Sequence, residues 1–431
     1  MAGRRSLRDA TQMNNFWSNS QSCQFSPEDV FYGQLAGMLE ALAAGTTTVV
    51  DHAHLTCSPN HARLGVAATA SSGVRSVFCY TPITRVKDFN PLTFHPNPFE
   101  DWVMQTFHEL ADKGPFGAGR VTLGFAFDLF FLPPEMIKGL FAEVKERGVK
   151  TITCHGTLSM GNLIQSLKSL ELLDESIIIS HGGDIRSADA ELIKAKGAHL
   201  SSTPSSELQM AMGRPYCFDA SFIDGGVTGD SVGLQNNASL GVDCHTITGG
   251  SILTEARIGL QNARNMFGKY HLKQGKLPCT IPDSLSVEAA FSLATIKGAE
   301  AIHMSKDIGR IAEGYKADVV IFDALSPSMV AAAQHDPVAS IILHSTPADI
   351  DTVIVDGIIR KRDGRLLPVT VDGAAKEVID VKTLDWPAIA KKIVSSRAKM
   401  QKEMDKIDWK EANAGLLKLF HVDETRLVDV K

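Results

Sequence analysis

The sequence lacks several features that would restrict it to a particular class of protein. None of its apolar runs approaches the roughly 20 residues that a membrane-spanning helix needs. The formal net charge is −6, so no surplus of positive charge favours nucleic acid. There is also no fixed-period repeat and no low-complexity tract. These absences indicate an ordinary globular protein, and neither a membrane nor nucleic acid is an expected partner.

The cysteines argue against a disulfide-stabilised protein. All seven are scattered along the chain, and none forms a Cys-x-x-Cys pair. This pattern is typical of buried thiols in a reducing compartment, so we expect a cytoplasmic location. The first eight residues are basic but lead into no apolar core, which speaks against a secretory signal. A short organelle transit peptide stays open, although Asp9 interrupts the basic run.

Short apolar runs alternate with amphipathic segments through the first half of the chain. The first helix is predicted to open at Ser26, with Pro27 in its first turn and Asp29 at the capping-box position. Regular strand–helix alternation predicts parallel strands joined by right-handed crossovers, an α/β class of fold. We count seven strands, whereas a closed parallel barrel has eight. The predicted strands cover 46–50, 74–80, 121–127, 150–154, 176–180, 198–202 and 239–242.

The chain changes character after the last helix of this alternation. We divide it into an α/β barrel at 26–305, a small β subdomain at 306–370 and a C-terminal helical extension at 371–431. One alanine-rich helix is predicted at 287–302 and one charged helix at 386–409, while the Pro- and Asn-rich stretch 81–98 is predicted to be a loop.

Three ionisable residues stand where predicted strands end. They are His155, His181 and Asp243. Parallel strands share a direction, so these ends should lie on one face of the barrel, where barrel enzymes carry their chemistry. Two imidazoles and a carboxylate can hold a divalent ion with an open position. The spacing therefore predicts a metal-assisted hydrolytic site, in which Asp243 is suited to move a proton.

The stretch from Gly45 to His54 has the same character. Its β-branched residues favour a buried strand, and the strand gives way to Asp51, His52 and His54. Alternate residues of a strand point the same way, so His52 and His54 have metal-ligand spacing. A structural role, in which one histidine caps the strand and the other is solvated, stays open.

The order of these motifs resembles the amidohydrolase superfamily, in particular the branch of cytosine deaminases and atrazine chlorohydrolase-like enzymes. The resemblance extends from about Ser26 to Leu367. The matching segments are Gly45-Thr46-Thr47-Thr48-Val49-Val50-Asp51-His52, Thr153-Cys154-His155-Gly156, Ile179-Ser180-His181-Gly182, Ser202-Thr203-Pro204-Ser205-Ser206-Glu207-Leu208-Gln209-Met210, Leu240-Gly241-Val242-Asp243 and Lys316-Ala317-Asp318.

The resemblance implies a TIM-like (β/α) barrel with a small β-sandwich-like subdomain, here formed mainly by the C-terminal part. It also implies a divalent metal, zinc in the first place with iron as the alternative. The implied metal ligands are His155, His181 and Asp243, of which His181 and Asp243 are also the catalytic residues. The implied substrate contacts are His52, His54, Glu207 and Gln209.

The sequence departs from the family pattern at two points. The family carries a metal-binding His-x-His on its first barrel strand, and the Gly-Thr-Thr-Thr segment belongs to the second. The first strand would therefore precede Met1, and His52 and His54 could act as replacement ligands. Deaminases of this branch often carry a glutamate shortly after the histidine that matches His155, where this chain has Gly156 and Thr157.

The predicted function is that of a metal-dependent hydrolase acting on a C–N bond, not a peptide bond, of a small cyclic amide or aminated heterocycle. The expected partner is this small-molecule substrate, and a homo-oligomer is possible. The alternatives are a catalytically impaired chain that keeps the barrel, and a decarboxylase or dehalogenase on the same scaffold. The fold alone does not decide among them.

Overall fold

A parallel sheet of seven strands forms the centre of the protein. The computed structural model describes residues 24–156, 162–183, 185–210, 212–221, 233–245 and 247–419. The strands of the first half are β1 (Thr48–Ala53), β2 (Arg75–Tyr80), β3 (Val86–Phe89), β4 (Leu92–Phe94), β5 (Val121–Ala126), β6 (Ile152–Gly156), β7 (Ile177–His181), β8 (His199–Ser202) and β9 (Ala238–Leu240). The central sheet has the order β1-β2-β5-β6-β7-β8-β9.

Every neighbouring pair in this sheet is parallel, and helices connect the strands. The predicted α/β barrel with seven strands is thus confirmed, and the carboxyl ends of the strands lie on one side. In the part of the chain that is described, β1 and β9 do not pair with each other. The helices up to residue 301 are α1 (Pro27–Ala43), α2 (Pro59–Ser72), α3 (Asp101–Lys113), α4 (Pro134–Glu146), α5 (Leu163–Ser169), α6 (Ser187–Lys196), α7 (Pro204–Gln209), α8 (Ile252–Lys273), α9 (Val287–Leu293) and α10 (Ile296–Ala301).

Helix α1 begins as the sequence predicts. The Asp29 backbone N–H donates to Ser26 Oγ, and the Ser26 backbone N–H donates to Asp29 Oδ2 over 2.9 Å. This reciprocal pair satisfies two backbone donors that a helix N-terminus leaves open. Helix α1 then packs its apolar face, including Phe31, Leu35 and Leu42, into the main core.

A small antiparallel sheet follows the barrel. It contains β10 (Val319–Phe322), β11 (Ile350–Val355), β12 (Ile358–Arg362) and β13 (Arg365–Leu366) in that order. The remaining elements are α11 (Val330–Ala333), α12 (Pro337–Ala339), β14 (Val369–Thr370), β15 (Thr383–Leu384), α13 (Trp386–Met404) and α14 (Trp409–Leu419). The domain boundaries at 305 and 370 stay predictions.

Three local predictions are wrong. The predicted loop 81–98 contains the hairpin β3–β4, whose Val86 and Phe89 pack with Ile407, between the last two helices, and with Leu417 of α14. The predicted helix 287–302 is broken at Thr295, whose hydroxyl donates to the Phe291 carbonyl and competes with the helical backbone. The helix predicted at 386–409 ends at Met404.

An ion pair ties the barrel to the small sheet. Arg75, the first residue of β2, donates from Nε and Nη2 to the two carboxylate oxygens of Asp318 over 2.8 and 3.0 Å. The side chains of Arg75 and Asp318 are only 4% and 5% exposed. Such a buried fork is costly to break, because the partner left behind keeps an uncompensated charge.

No helix within the described residues combines the length and the apolar character that crossing a bilayer requires. The expected cytoplasmic location stays a prediction.

We predict that Arg75→Met lowers the free energy of unfolding by about 3–5 kcal/mol, because it leaves the buried charge of Asp318 without its cationic partner. Urea denaturation followed by circular dichroism measures this loss. The control is Arg63→Met, which removes a half-exposed partner of Glu109 and should cost less than about 1 kcal/mol. Equal losses in the two variants would show that the Arg75–Asp318 pair stabilises the fold no more than an exposed ion pair does.

Candidate active site

Three histidines from distant strands lie together inside the barrel. His52 is in β1, His54 follows this strand directly, and His155 is in β6. The ring centroids of His52 lie 4.5 Å from His54 and 4.2 Å from His155. Two strands separate β1 from β6 in the sheet, so the sheet must be curled for these rings to meet on its concave side.

The ring nitrogens of the three imidazoles are close enough together to hold one metal ion. One ring nitrogen from each of His52, His54 and His155 lies within 4.8 Å of the other two. From the sequence, His155 is predicted to share a metal ion with His181 and Asp243, whereas His52 and His54 are expected to be substrate contacts or replacement ligands. The structure brings both of these histidines to His155.

A carboxylate that sequence reasoning missed holds this cluster. Asp128 follows β5 and accepts two hydrogen bonds from His155, from the backbone N–H over 2.8 Å and from Nδ1 over 2.7 Å. His52 Nε2 lies 3.2 Å from the same carboxylate. Asp128 stands directly after an apolar strand, which is the criterion that identified His155, so the same rule could have found it.

Burial alone would raise the pKa of Asp128, but the charges of His155 and His52 and their hydrogen bonds hold it well below its usual value. Asp128 is therefore an anion at neutral pH. Burial lowers the pKa values of His52 and His54, which keeps these imidazoles neutral. Burial also opposes the charged form of His155, yet Asp128 raises its pKa above the usual value.

The arrangement fits a divalent metal ion. His52 Nδ1 lies 3.0 Å from the Thr153 hydroxyl, whereas the buried Nε2 makes only the 3.2 Å contact with Asp128, which is not a well-aligned hydrogen bond. A buried nitrogen with no satisfied partner is costly, and a metal ion would remove that cost. Neutral imidazole is the form that coordinates metals. The hydrogen bond from His155 Nδ1 to Asp128 leaves Nε2 of His155 as the ligand atom, as is common for metal-bound histidines.

His181 and Asp243 lie beside the three histidines. The rings of His155 and His181 stack at 5.6 Å. His181 Nδ1 pairs with the Thr203 hydroxyl over 2.7 Å, and Ser206 Oγ donates to Asp243 Oδ2 over 2.6 Å. Burial lowers the pKa of His181 to about 4, and the nearby charge of Asp243 opposes this shift.

The backbone at these two positions is strained. His181 and Asp243 have φ values of +71° and +58°, a region that residues other than glycine rarely adopt. Such strain persists where the surrounding structure over-determines it, and it is concentrated at functional sites. The roles of His181 and Asp243 in catalysis and metal binding stay predictions.

Glu207 is buried next to Ser202 and Thr203. Its side chain is 1% exposed and accepts hydrogen bonds from the Thr203 backbone N–H over 2.9 Å and from Ser202 Oγ over 2.8 Å. Burial raises the pKa of Glu207 to about 8, and the charges of Glu255 and Asp243 add to the shift. Gln209 is exposed at the end of α7. The predicted substrate contacts of both residues stay predictions.

Asp51 faces away from His52 and toward helix α1. It accepts a hydrogen bond of 2.6 Å from Gln34 of α1, and burial raises its pKa to about 6. Asp51, Ala53 and Gln34 border a cavity of about 160 Å³, which His54 also lines. Since Asp51 and His52 are consecutive in a strand, they point to opposite faces, and Asp51 lies on the helix side of β1.

The fold and these residues define the class of the protein. The sequence pattern of the amidohydrolase family matches residues 3–360, and the chain belongs to this family. The predicted resemblance is confirmed, and so is the predicted class of enzyme, a hydrolase acting on C–N bonds other than peptide bonds.

Curated relatives are similar over most of the chain. The 5-methylthioadenosine/S-adenosylhomocysteine deaminase of Acetivibrio thermocellus is 25% identical over 347 residues, which cover 78% of this chain and 71% of that protein. The 5'-deoxyadenosine deaminase of Methanobrevibacter smithii is 24% identical over 371 residues, covering 83% of this chain and 76% of that protein.

Solved structures share the fold at low identity. A zinc-bound adenosine deaminase from Xanthomonas campestris has a TM-score of 0.68 at 17% identity, over 90% of this chain and 78% of that chain. A mutant atrazine chlorohydrolase from Arthrobacter aurescens, complexed with zinc and atraton, has a TM-score of 0.67 at 16% identity, over 92% and 84%. At such identity these structures show the fold alone.

We predict that Asp128→Ala weakens zinc affinity by about 10- to 100-fold, because His155 loses the carboxylate that orients its ring. Competition with a chelating dye measures this affinity. Asp174→Ala is the matched control, since Asp174 pairs with Lys145 outside the cluster. If both variants bind zinc as the parent does, Asp128 has no part in the metal centre.

We predict that Glu207→Gln makes stability less dependent on pH. Folded Glu207, with a pKa raised to about 8, keeps its proton above pH 4.5, where the unfolded chain loses it. The parent protein therefore loses stability as the pH rises from 4.5 to 8, by up to about 1.4 kcal/mol per pH unit.

Denaturant unfolding between pH 5 and pH 8 measures this difference, with Glu146→Gln, exposed on α4, as the control. A constant difference between Glu207→Gln and the parent across this range would contradict a protonated Glu207.

Proposed function

We propose that the protein is a metal-dependent hydrolytic deaminase that exchanges the amino group of an adenine-like heterocycle for oxygen. The observation that carries the proposal is the cluster of His52, His54 and His155 at the carboxyl ends of the strands, with Asp243 and His181 beside it. The curated relatives named as deaminases of adenine nucleosides support this substrate class.

We propose zinc as the metal, with iron as the alternative. Three imidazole nitrogens with a nearby carboxylate suit either ion. His52, His54 and His155 would hold the ion, and Asp243 is the candidate for a further ligand. A bound divalent ion supplies hydroxide near neutral pH and polarises the group under attack.

Asp243 is the proposed proton carrier. Its Oδ2 accepts a hydrogen bond from the Ser206 hydroxyl. Oδ1 is therefore the oxygen proposed to take a proton from the attacking water. The same atom can then deliver the proton to the leaving amino nitrogen, which departs as ammonia. This carboxylate would perform both steps in a chain that lacks a glutamate shortly after His155.

His181 is the proposed substrate-orienting residue. Thr203 fixes its Nδ1, which leaves Nε2 to contact the heterocycle or the oxygen that develops on it. Glu207 in turn accepts a hydrogen bond from the backbone N–H of Thr203. It thereby positions His181 indirectly, through Thr203. A rigid ring of this kind contributes by holding the reacting groups in register.

We predict that the zinc-loaded protein releases ammonia from adenine nucleosides and that a chelator abolishes the reaction. The assay panel contains adenosine, 5'-deoxyadenosine, 5'-methylthioadenosine and S-adenosylhomocysteine, and cyclic amides and a chlorinated triazine test other chemistry. Asp243→Asn should lower kcat by about 100-fold or more, since proton transfer contributes at least this much. Asp112→Asn, at an exposed position, is the control.

The remaining outcomes decide between the alternatives. Chloride release without ammonia would point to a dehalogenase. Tight zinc binding without turnover of any compound would favour the impaired chain. Full zinc binding by a His52→Ala, His54→Ala double variant would exclude these histidines as ligands.

A further inference from the structure

A second group of charges lies at the other end of the barrel. Arg75 opens β2, and Arg120 immediately precedes the first residue of β5, so both stand at the amino ends of their strands. The histidine cluster lies at the carboxyl ends. Residues of the small sheet and its approach complete the group, namely Lys316, Asp318, Asp356 and Arg360.

The acids of this group do not balance its bases. Asp318 is neutralised by Arg75 in a bidentate ion pair. The carboxylate of Asp356 lies 3.3 Å from Arg75. Its contacts with Lys316, at 3.9 Å, and with Arg120, at 4.0 Å, are longer and therefore weaker. Four cations thus face two carboxylates, which leaves a surplus of two positive charges at the seam between the barrel and the small sheet.

The surplus is concentrated on Arg120 and Arg360. The Nε atoms of both side chains are buried and make no hydrogen bond within the described residues. Burial lowers the pKa of Arg360, the positive charge of Arg120 lowers it further, and the negative charge of Asp356 opposes the shift. Two guanidinium groups that repel each other and keep buried donors unsatisfied are unfavourable unless an anion joins them.

The guanidinium group of Arg360 packs against the C-terminal end of helix α2. Gly73 ends α2 in the left-handed conformation with φ of +78°. A Cβ atom at this position would lie 2.3 Å from Arg360 Cζ, so the guanidinium packs against a surface that only glycine provides. The guanidinium of Arg360 is therefore in contact with Gly73 at the end of α2, and the residue is partly buried.

We propose that Arg120 and Arg360 bind a phosphate dianion at this seam, remote from the active site. The planar guanidinium fork suits two oxygens of a phosphate group, and the two charges of the anion match the surplus. The shared chemistry is that of the phosphate group, whether it comes as inorganic phosphate or as a phosphate ester of a small molecule. Arg75 and Asp318 form the rigid base of this site.

The test titrates the full chain with inorganic phosphate and, separately, with adenosine 5'-monophosphate. Calorimetry and thermal unfolding are run without phosphate buffer and with chloride at matched ionic strength. We expect one phosphate per chain and a melting temperature that rises with phosphate concentration, as for any ligand that binds only the folded state. Binding of both compounds supports an ester site, and binding of inorganic phosphate alone supports a free-ion site.

Arg120→Met and Arg360→Met should each weaken this binding by at least 10-fold, whereas Arg397→Met, on the exposed side of α13, should not. In the absence of phosphate, Arg360→Met should melt at or above the temperature of the parent, since the repulsion from Arg120 is removed. A purely structural arginine would give a lower melting temperature.

Two further variants keep the test decisive. Arg360→Lys retains the charge without the fork, so it should fold and bind phosphate more weakly even if Arg360→Met does not fold. His155→Ala should bind phosphate as the parent does, which separates this site from the metal centre. Phosphate that gives no more stabilisation than chloride, or that binds equally to the parent and to Arg360→Lys, would overturn the proposal.

Discussion

The partly buried carboxylate of Asp128 is the constraint on which the candidate active site depends. It accepts two hydrogen bonds from His155 and lies 3.2 Å from His52, and these residues belong to strands that are not neighbours in the sheet. An anion without such partners would be very costly inside a protein. The carboxylate and the two rings therefore stabilise one another, and they fix how the curled sheet brings β1 and β6 together.

The same carboxylate sets the electrostatics of the site. Burial favours neutral imidazoles at His52, His54 and His181, while Asp128 raises the pKa of His155. Ligands must shed their protons to bind a metal, so most of the cost of deprotonation is met by the fold itself. The remaining cost is that of deprotonating His155, whose pKa is raised. Its Nδ1–H already donates a hydrogen bond to Asp128.

Much of the barrel could be predicted from the sequence because each strand is a short apolar run bounded by helix signals. The strand-end rule selected His155, His181 and Asp243, and it would also have selected Asp128. The proximity of His52 to His155 could not be predicted in this way, because it depends on the curl of the whole sheet. The hairpin β3–β4 was missed because Val86 and Phe89 pack against apolar residues more than 300 positions away, in the C-terminal segment that contains Ile407 and Leu417.

Burial keeps the carboxyl group of Glu207 uncharged beside this site. The site already holds the anions Asp128 and Asp243, and a third buried negative charge beside them would be costly. With a pKa raised to about 8, Glu207 is neutral at pH 7 and adds no charge. It nevertheless binds the backbone of Thr203, whose hydroxyl holds His181. A neutral buried carboxyl group can thus support the imidazole without disturbing the charge balance that the proposed metal binding and the proposed proton transfer by Asp243 require.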